Sequence, residues 1–492
     1  MRTLTEHGPE LLTASHWIGG TWVSTGELSQ SVNPATGEVI GHYYKGGPAE
    51  ASQAVAAAKR AFQATVWRND PRLRARVLNA MADALEQGTE QLAYLLGLEN
   101  GKVLTHANLE IGIVPHTLRF NAALALLDFG RNAQVVPGSL SFVTKQPVGV
   151  AGIIAPWNSP VALVIRSLAP ALAAGTTVAV MLPTQTAQVN ALISRIVSEV
   201  KDLPTGVVNI FTGGSEAGNE LVVSPDVPVI SFTGSTTTGR AISTNAAPKI
   251  KRMGLELGGK TPTLVFADAD VDAAVPKIVQ ALTVFAGQFC MTGSRLLVHQ
   301  SVADRLLRSL AERIETVKVG PASDPQSEMG PLIDKPNVER VDRMVQDAID
   351  AGAKVIVRGG PVTEAPLIKG AFYRPTLLEV TDSKLPIVQQ EVFGPVLTVQ
   401  RFDTEAEAIA LANDSEYGLS ASVWSRDIDR PLRVARELDA GTVWINDWGV
   451  MYDQFEEGGF KQSGQGRMRG LAVMDDFIEY KHIALNPGLG AS

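Results

Sequence analysis

The sequence predicts a two-lobed α/β fold built on parallel sheets, and three observations carry that reading. From about residue 148, GVAGIIAPW, TVAVML, GVVNIFT and PVISFTG are continuous apolar runs, each followed by a helix-like segment. A second series of the same kind begins at TPTLVFADAD (261–270) and runs through RLLVHQ, KVIVRGG, PVLTVQRF, SASVWSR and GTVWIND. Apolar strands without polar alternation, separated by helices, belong to a parallel sheet covered on both faces. The third observation is length: 492 residues are more than one core sustains. Two such units imply two lobes with a cleft between them, and ligands bind in clefts at the carboxyl ends of strands.

The elements follow in chain order. The first third reads as helical: PAEASQAVAAAKRAFQAT is Ala-rich, and Asp70-Pro71 is a helix cap followed by Pro at the first helical position. Leu73, Val77, Met81 and Leu85 then recur at i+4 on one face. LSFVTKQPV (140–148) and the tail EYKHIALNPGLG alternate apolar and polar residues outside both series, as a small β-extension used for subunit contact would. PVALVIRSLAPALAAGTTVAVML (160–182) is long enough to span a membrane, but Arg166, Pro170 and Gly175 interrupt it. A buried helix, a turn and a buried strand fit it better.

Bulk composition excludes several classes. Hydrophobic residues are 45% and charged residues 19%, ordinary for a well-buried globular protein. A net charge of −8 argues against nucleic acid or an anionic membrane as a partner. MRTLTEHGPELLTASHWIGG has no basic segment leading into an apolar one, so no secretion signal is read and a cytoplasmic location is expected. The chain has one cysteine, so neither an intramolecular disulfide nor a CxxC site is available.

That cysteine, Cys290, lies in FAGQFCMTGSR (285–295), between the helix-like VDAAVPKIVQALTVFAG and the strand-like RLLVHQ. A free cysteine is commonly a small, inert, buried hydrophobe. Against that, a Gly-Gln turn precedes Cys290 and Met-Thr-Gly follows it, an irregular junction where a helix N-terminus or a cofactor's charge can shift a thiol toward reactivity. In FTGSTTTGR (232–240) an apolar strand ends in Gly234 and Ser235, which can open a helix whose amides face a phosphate; a plain strand-to-helix turn fits too. In LELGGK (255–260) Glu256 sits among apolar neighbours that raise a carboxyl toward a general base's working range, or else faces solvent at a strand end. In PWNSP (156–160) Asn158 can aim an amide donor at a developing oxyanion, and turn chemistry explains it equally well. GQGRMRG (464–470) has the look of a phosphate loop, but no apolar strand leads into it.

Taken in order, NPATGEVI, PWNSP, FTGSTTTGR, LELGGK, FAGQFC, EVFGPV (391–396) and GGFKQSGQGR (458–467) resemble the NAD(P)-dependent aldehyde dehydrogenase superfamily over nearly the whole chain. The resemblance implies an aldehyde dehydrogenase-like fold. A Rossmann-type cofactor domain would span 1–129 and 149–258, an α/β catalytic domain 259–460, and an oligomerisation arm with the tail 130–148 and 461–492. It implies oxidation of an aldehyde to a carboxylic acid through a cysteine thiohemiacetal and thioester. Cys290 matches the nucleophile, Glu256 the general base, Asn158 the oxyanion donor and Lys260 a residue ordering the Glu256 strand. Trp157, Phe232, Gly234, Ser235, Gly239 and Leu257 match the cofactor site, Glu391 the nicotinamide-ribose contact and Phe393 the ring beside the nicotinamide. Ser159, Ala162, Phe289, Met291, Trp448, Tyr452 and Phe455 match the substrate lining, read as an apolar tunnel with Trp448, Tyr452 and Phe455 at an aromatic mouth, for medium or long aliphatic or aromatic aldehydes; packing of a loop explains these three aromatics equally well. Glu456 and Glu457 stand where relatives have a Pro-aromatic pair. Met181 stands where relatives carry Lys and Thr184 where many carry Glu, which predicts NAD as cofactor with weaker use of NADP. A homodimer or homotetramer is expected.

Overall fold

The computed structural model describes residues 13–127 and 130–485; the start of the segment searched for a leader and the end of the tail lie outside them. Five parallel strands form the centre of the first large sheet, in the order Arg252–Glu256, Val229–Thr233, Val150–Ile154, Thr177–Pro183, Val208–Gly213. His16–Ile18 and Thr21–Val23 extend one edge antiparallel, and Gly464–Gln465 pairs antiparallel with the other. The last pairing adds to the sequence reading: Gly464–Gln465, within GQGRMRG, is a short strand bonded to the segment that ends in Glu256. A second sheet runs Lys354–Val357, Thr376–Glu379, Val396–Phe402, Gly293–His299, Thr261–Val265, Ser420–Trp424, Thr442–Ile445, parallel except for its first strand. The expected α/β class is borne out.

Local chemistry explains the elements that position the site. Asp70 caps the helix Pro71–Gln87 by accepting from the amides of Arg72 and Leu73 at 3.0 Å, and Leu73, Val77, Met81 and Leu85 form its buried face. The apolar run 160–182 is the helix Pro160–Ala174, a turn at Gly175 with φ +92°, and the strand Thr177–Pro183, nearly all of it buried. Among the described residues no helix is long and apolar enough to cross a membrane. The alternating segments pair with each other: Leu140–Pro147 lies antiparallel to Ile478–Leu485, with Arg131–Ala133 beside it.

Candidate active site

The single thiol is presented by an abrupt change of backbone. The helix Val271–Thr283 stops, and Phe285, Ala286 and Gly287 follow with φ of +51°, +56° and +71°. Three consecutive left-handed residues, two with a Cβ, are strained and need strong local support. Gly287 is obligatory for a second reason: a Cβ there would stand 2.4 Å from the Gly394 carbonyl carbon and 2.6 Å from Pro395 N. Gln288 supplies the support, donating from Nε2 to the Phe285 carbonyl at 3.2 Å and accepting from Ile333 N at 2.9 Å. Cys290 emerges from this turn partly buried, against Met291, Leu419, Trp444, Trp448 and Phe289. No helix begins at Cys290, since the strand Gly293–His299 follows it. Burial pushes the thiol up; the Arg166 guanidinium opposes that, while Glu391, Glu457 and Glu256 add to it.

Asn158 is attached to the same turn. It is 5% exposed and donates from Nδ2 to the Gln288 carbonyl at 3.0 Å. An amide nitrogen carries two N–H groups, so one remains for another acceptor. Asn100 Nδ2 holds the Trp157 carbonyl at 2.7 Å. Ser159 is buried, and its hydroxyl accepts from Lys102 Nζ at 3.2 Å. Lys102 is ion-paired with buried Glu110 and lies 3.7 Å from the Phe285 ring centroid. Glu110 in turn accepts from the amides of Val161 and Ala162 at 2.8 and 3.2 Å, capping the helix Pro160–Ala174. Ser159 is therefore committed to a structural bond.

Glu256 ends its strand opposite Thr233, and its carbonyl accepts from Gly234 N at 3.0 Å. It is 3% exposed, and its Oε1 has no hydrogen-bond partner among the described residues. Burial pushes its carboxyl up to about 8, against the pull of Arg166 and Arg467. Beyond the strand, Lys260 is buried with an unpartnered Nζ; burial and Arg295 push its amine down, and Glu391 opposes them. Burial pushes the Glu391 carboxyl up, while Lys260 and the Gly259 amide, donating to Oε1 at 3.2 Å, pull it back.

The residues expected around a dinucleotide are close to these groups. Phe393 holds φ +52°, strained for an aromatic residue, and meets the Trp157 ring edge-on at 5.5 Å. A Cβ on Gly234 would lie 2.4 Å from the Phe232 ring, and one on Gly239 2.5 Å from Leu257 Cδ2. Ser235 caps the helix Thr236–Ala246, its Oγ accepting from Thr238 N at 3.2 Å. Met181 is 8% exposed, its Cε 3.2 Å from where a Cβ on Gly218 would stand, so it packs into the sheet's apolar cover. Thr184 is half-buried beside it in sequence.

The expected substrate wall divides in two. Phe289 packs edge-on against Phe285 at 5.7 Å and Trp448 at 6.1 Å, and Trp448 Nε1 donates to the Met291 carbonyl at 3.0 Å. Met291 is wholly buried, Ala162 half-buried. Tyr452 and Phe455 meet edge-on at 6.4 Å and are 61% and 68% exposed. Among the described residues no group of His, Cys, Asp and Glu could hold a metal ion.

The model of the aldehyde dehydrogenase family matches residues 22–483. The chain belongs to that family. It is similar to betaine aldehyde dehydrogenase of Bacillus subtilis (strain 168), 39% identical over 475 residues that cover 96% of this chain and 97% of the relative. Phenylacetaldehyde dehydrogenase of Pseudomonas fluorescens is 36% identical over 480 residues, 95% of each chain. A betaine aldehyde dehydrogenase from Staphylococcus aureus, solved in complex with NAD+, superposes with a TM-score of 0.94 at 36% identity, covering 97% of this chain and 96% of that one.

This aldehyde dehydrogenase carries one group of residues that the sequence does not reveal. From sequence, Glu457 is only the second of two acids that stand where relatives have a Pro-aromatic pair. It is 5% exposed and lies inside, where Arg166 Nη1 donates to its Oε1 at 2.6 Å and Arg469 Nε to its Oε2 at 2.9 Å. Arg469 is also paired with Asp453, which accepts from Thr117 Oγ1 at 2.8 Å. Glu456 stays outside and accepts from the amides of Leu471 and Ala472. The available signal was Arg166, a lone charge in an apolar helix, which demands a buried partner.

Proposed function

We propose that this aldehyde dehydrogenase oxidises an aldehyde with an apolar aliphatic or aromatic body to the carboxylic acid, with NAD as preferred cofactor and NADP used more weakly. One observation carries the reading: Asn158 donates to the Gln288 carbonyl at 3.0 Å, so an amide donor is tied to the turn that carries the chain's lone thiol.

In this reading the Cys290 thiolate adds to the aldehyde carbon. The free N–H of Asn158 and the Cys290 amide stabilise the alkoxide, at about 3 kcal/mol per donor in comparable sites. Collapse of the alkoxide leaves an acyl group on Cys290 as a thioester. A bound nicotinamide supplies the hydride acceptor for that collapse. Glu256, in its carboxylate form, takes the proton of the water that releases the acid. Lys260 and Glu391 offset each other's charge where the Glu256 strand turns toward the cleft, which keeps that turn in place.

The chain's residues fit a dinucleotide. The helix Thr236–Ala246 offers N-terminal amides beyond an exposed Ser235, Gly234 keeps the approach open, and the strained Phe393 fixes a ring beside Trp157. Met181, Thr184 and Gln185 carry no cation to offset a 2′-phosphate, which supports NAD over NADP. The aromatic surround of Cys290 (Phe289, Trp444 and Trp448) supports an apolar substrate body. The first large sheet would hold the cofactor, the second the thiol, and the three-stranded sheet with Leu140–Pro147 would join subunits in a dimer or tetramer in the cytoplasm.

Initial rates with acetaldehyde, octanal, phenylacetaldehyde, betaine aldehyde and succinic semialdehyde, each with NAD and with NADP, test the proposal. Highest kcat/KM for octanal or phenylacetaldehyde with NAD agrees with it. A preference for acetaldehyde or betaine aldehyde contradicts the substrate class, and no reduction of either dinucleotide with any aldehyde contradicts the activity.

A further inference from the structure

Arg166 stands in the middle of the helix Pro160–Ala174, 5% exposed. Nη2 donates to Thr233 Oγ1 at 3.0 Å, and Thr233 is the register partner of Glu256 on the neighbouring strand. Nη1 donates to Glu457 at 2.6 Å, and the next residue, Gly458, is placed so that a Cβ on it would lie 3.2 Å from Glu256 Oε1. Both anchors of the guanidinium thus adjoin the Glu256 carboxyl, and the chain just beyond Glu256 lies against the turn of the thiol, where a Cβ on Gly259 would stand 2.3 Å from the Cys290 carbonyl oxygen. Arg166 Nε and Glu256 Oε1 are each buried without a hydrogen-bond partner among the described residues.

We propose that Arg166 is a positioning residue for both reacting groups: fixed by Glu457 and Thr233, its guanidinium holds positive charge beside the Glu256 carboxyl, the field reaches the Cys290 thiol on the neighbouring turn, and Glu457 sets how much of it the two groups feel. The inference rests on the roles given above to Cys290 and Glu256.

The charges around the pair decide the sign. Glu457 is shared, one oxygen to Arg166 and the other to Arg469, so it neutralises Arg166 only in part. Arg166 and Arg467 favour ionised Glu256, while Glu457 and Asp476 oppose it. At Cys290, Arg166 favours the thiolate, and Glu391, Glu457 and Glu256 oppose it. Among these charges Arg166 has the largest effect on both groups. Inside a protein such interactions are screened far less than in water. A buried cation that lowers the cost of both anions would let a thiol raised by its apolar surround still react near neutral pH. An Arg retained only to seal the interior would instead leave the reactivity of the thiol unchanged.

Alkylation of the lone thiol by iodoacetamide, followed as a function of pH, tests this directly, because every adduct reports Cys290. Glu457→Gln keeps the shape and a hydrogen bond to Arg166 but removes the opposing charge. It should lower the thiol midpoint by about one pH unit, which is about tenfold faster alkylation at pH 7. Arg166→Met should raise the midpoint and slow alkylation by about tenfold, and Arg166→Lys should restore part of the rate. The pH limb of kcat assigned to Glu256 should move the same way in each variant. Opposite shifts from the two partners of one ion pair cannot come from shared loss of structure, and Glu457→Gln with Arg166→Lys still decides the matter where Arg166→Met fails to fold. Unchanged midpoints, or shifts in one direction from both partners, overturn the role of Arg166. Persisting oxidation by Cys290→Ala would overturn the catalytic reading itself and is measured separately.

Discussion

Turnover limited by release of the acid should rise about tenfold between pH 7 and pH 9. The perturbation is pH alone, and the group is Glu256, whose carboxyl burial holds at about 8, against 4.5 for an ordinary glutamate. Only the carboxylate can take a proton from water, so the active form is a minority below 8 and a majority above it. One unit either side of the midpoint gives about one carboxylate in ten at pH 7 and about nine in ten at pH 9. Rapid mixing with saturating aldehyde and NAD at each pH separates a burst of reduced nicotinamide from the slower steady rate that reports hydrolysis. Glu256→Gln should keep the burst, lose about two to four orders of magnitude in the steady rate, and lose its pH dependence. The same burial has a stability cost. The unfolded chain ionises from about 4.5 and the folded one only near 8, so stability falls with rising pH across that window, by about 3 kcal/mol at pH 7 as a ceiling. Glu256→Gln should therefore melt higher than the parent at pH 7 and level with it near pH 4.5. A steady rate that is flat in pH while a burst is present, or a Gln variant with the parent's pH curve, would refute the reasoning.

Three other outcomes are expected. Cys290→Ala should abolish aldehyde oxidation while titrations of intrinsic fluorescence show dinucleotide binding nearly unchanged, since the chain has no second thiol. Gly287→Ala should cost about 2–4 kcal/mol and most of the activity, because the new methyl group meets the Gly394–Pro395 backbone at 2.4 Å and the φ of +71° strains it further; denaturant melts and kcat read the two losses. The ratio of kcat/KM should favour NAD. A tenfold preference for NADP would mean that a cation from elsewhere reaches the phosphate, and Lys45, whose Cε lies 3.5 Å from a Cβ position on Gly214 and whose amine is 3.6 Å from Glu27, is then the residue to replace.

The fold was legible because most strands at the centre of the two large sheets are apolar runs set between helices, the pattern of a doubly covered sheet. The cap at Asp70, the stop at Gly175 and the pairing of residues 140–147 with 478–485 follow from local chemistry and alternation. Cys290 was legible as a candidate nucleophile as well, because a lone Cys behind a Gly-Gln turn is unusual in itself. What stayed hidden depends on residues distant in sequence. Glu457 reads as a surface acid until it is paired with Arg166, 291 positions away. Lys102 and Glu110 carry no motif, yet they cap the helix Pro160–Ala174 and occupy Ser159. Met181 occupies a position read as cofactor-facing, but its apolar side chain turns into the sheet's cover. The resemblance places Tyr452 and Phe455 at the substrate entrance, and how far they stand exposed depends on packing that the sequence does not show.

The most direct test of the account is the intact mass of Glu256→Gln quenched in acid seconds after mixing with phenylacetaldehyde and NAD. The account predicts a gain equal to the aldehyde less two hydrogens, carried on the peptide that contains Cys290, dependent on NAD and removed by hydroxylamine. Acid product forming at the parent's rate with no adduct on Cys290, or an adduct on any other residue, would contradict it.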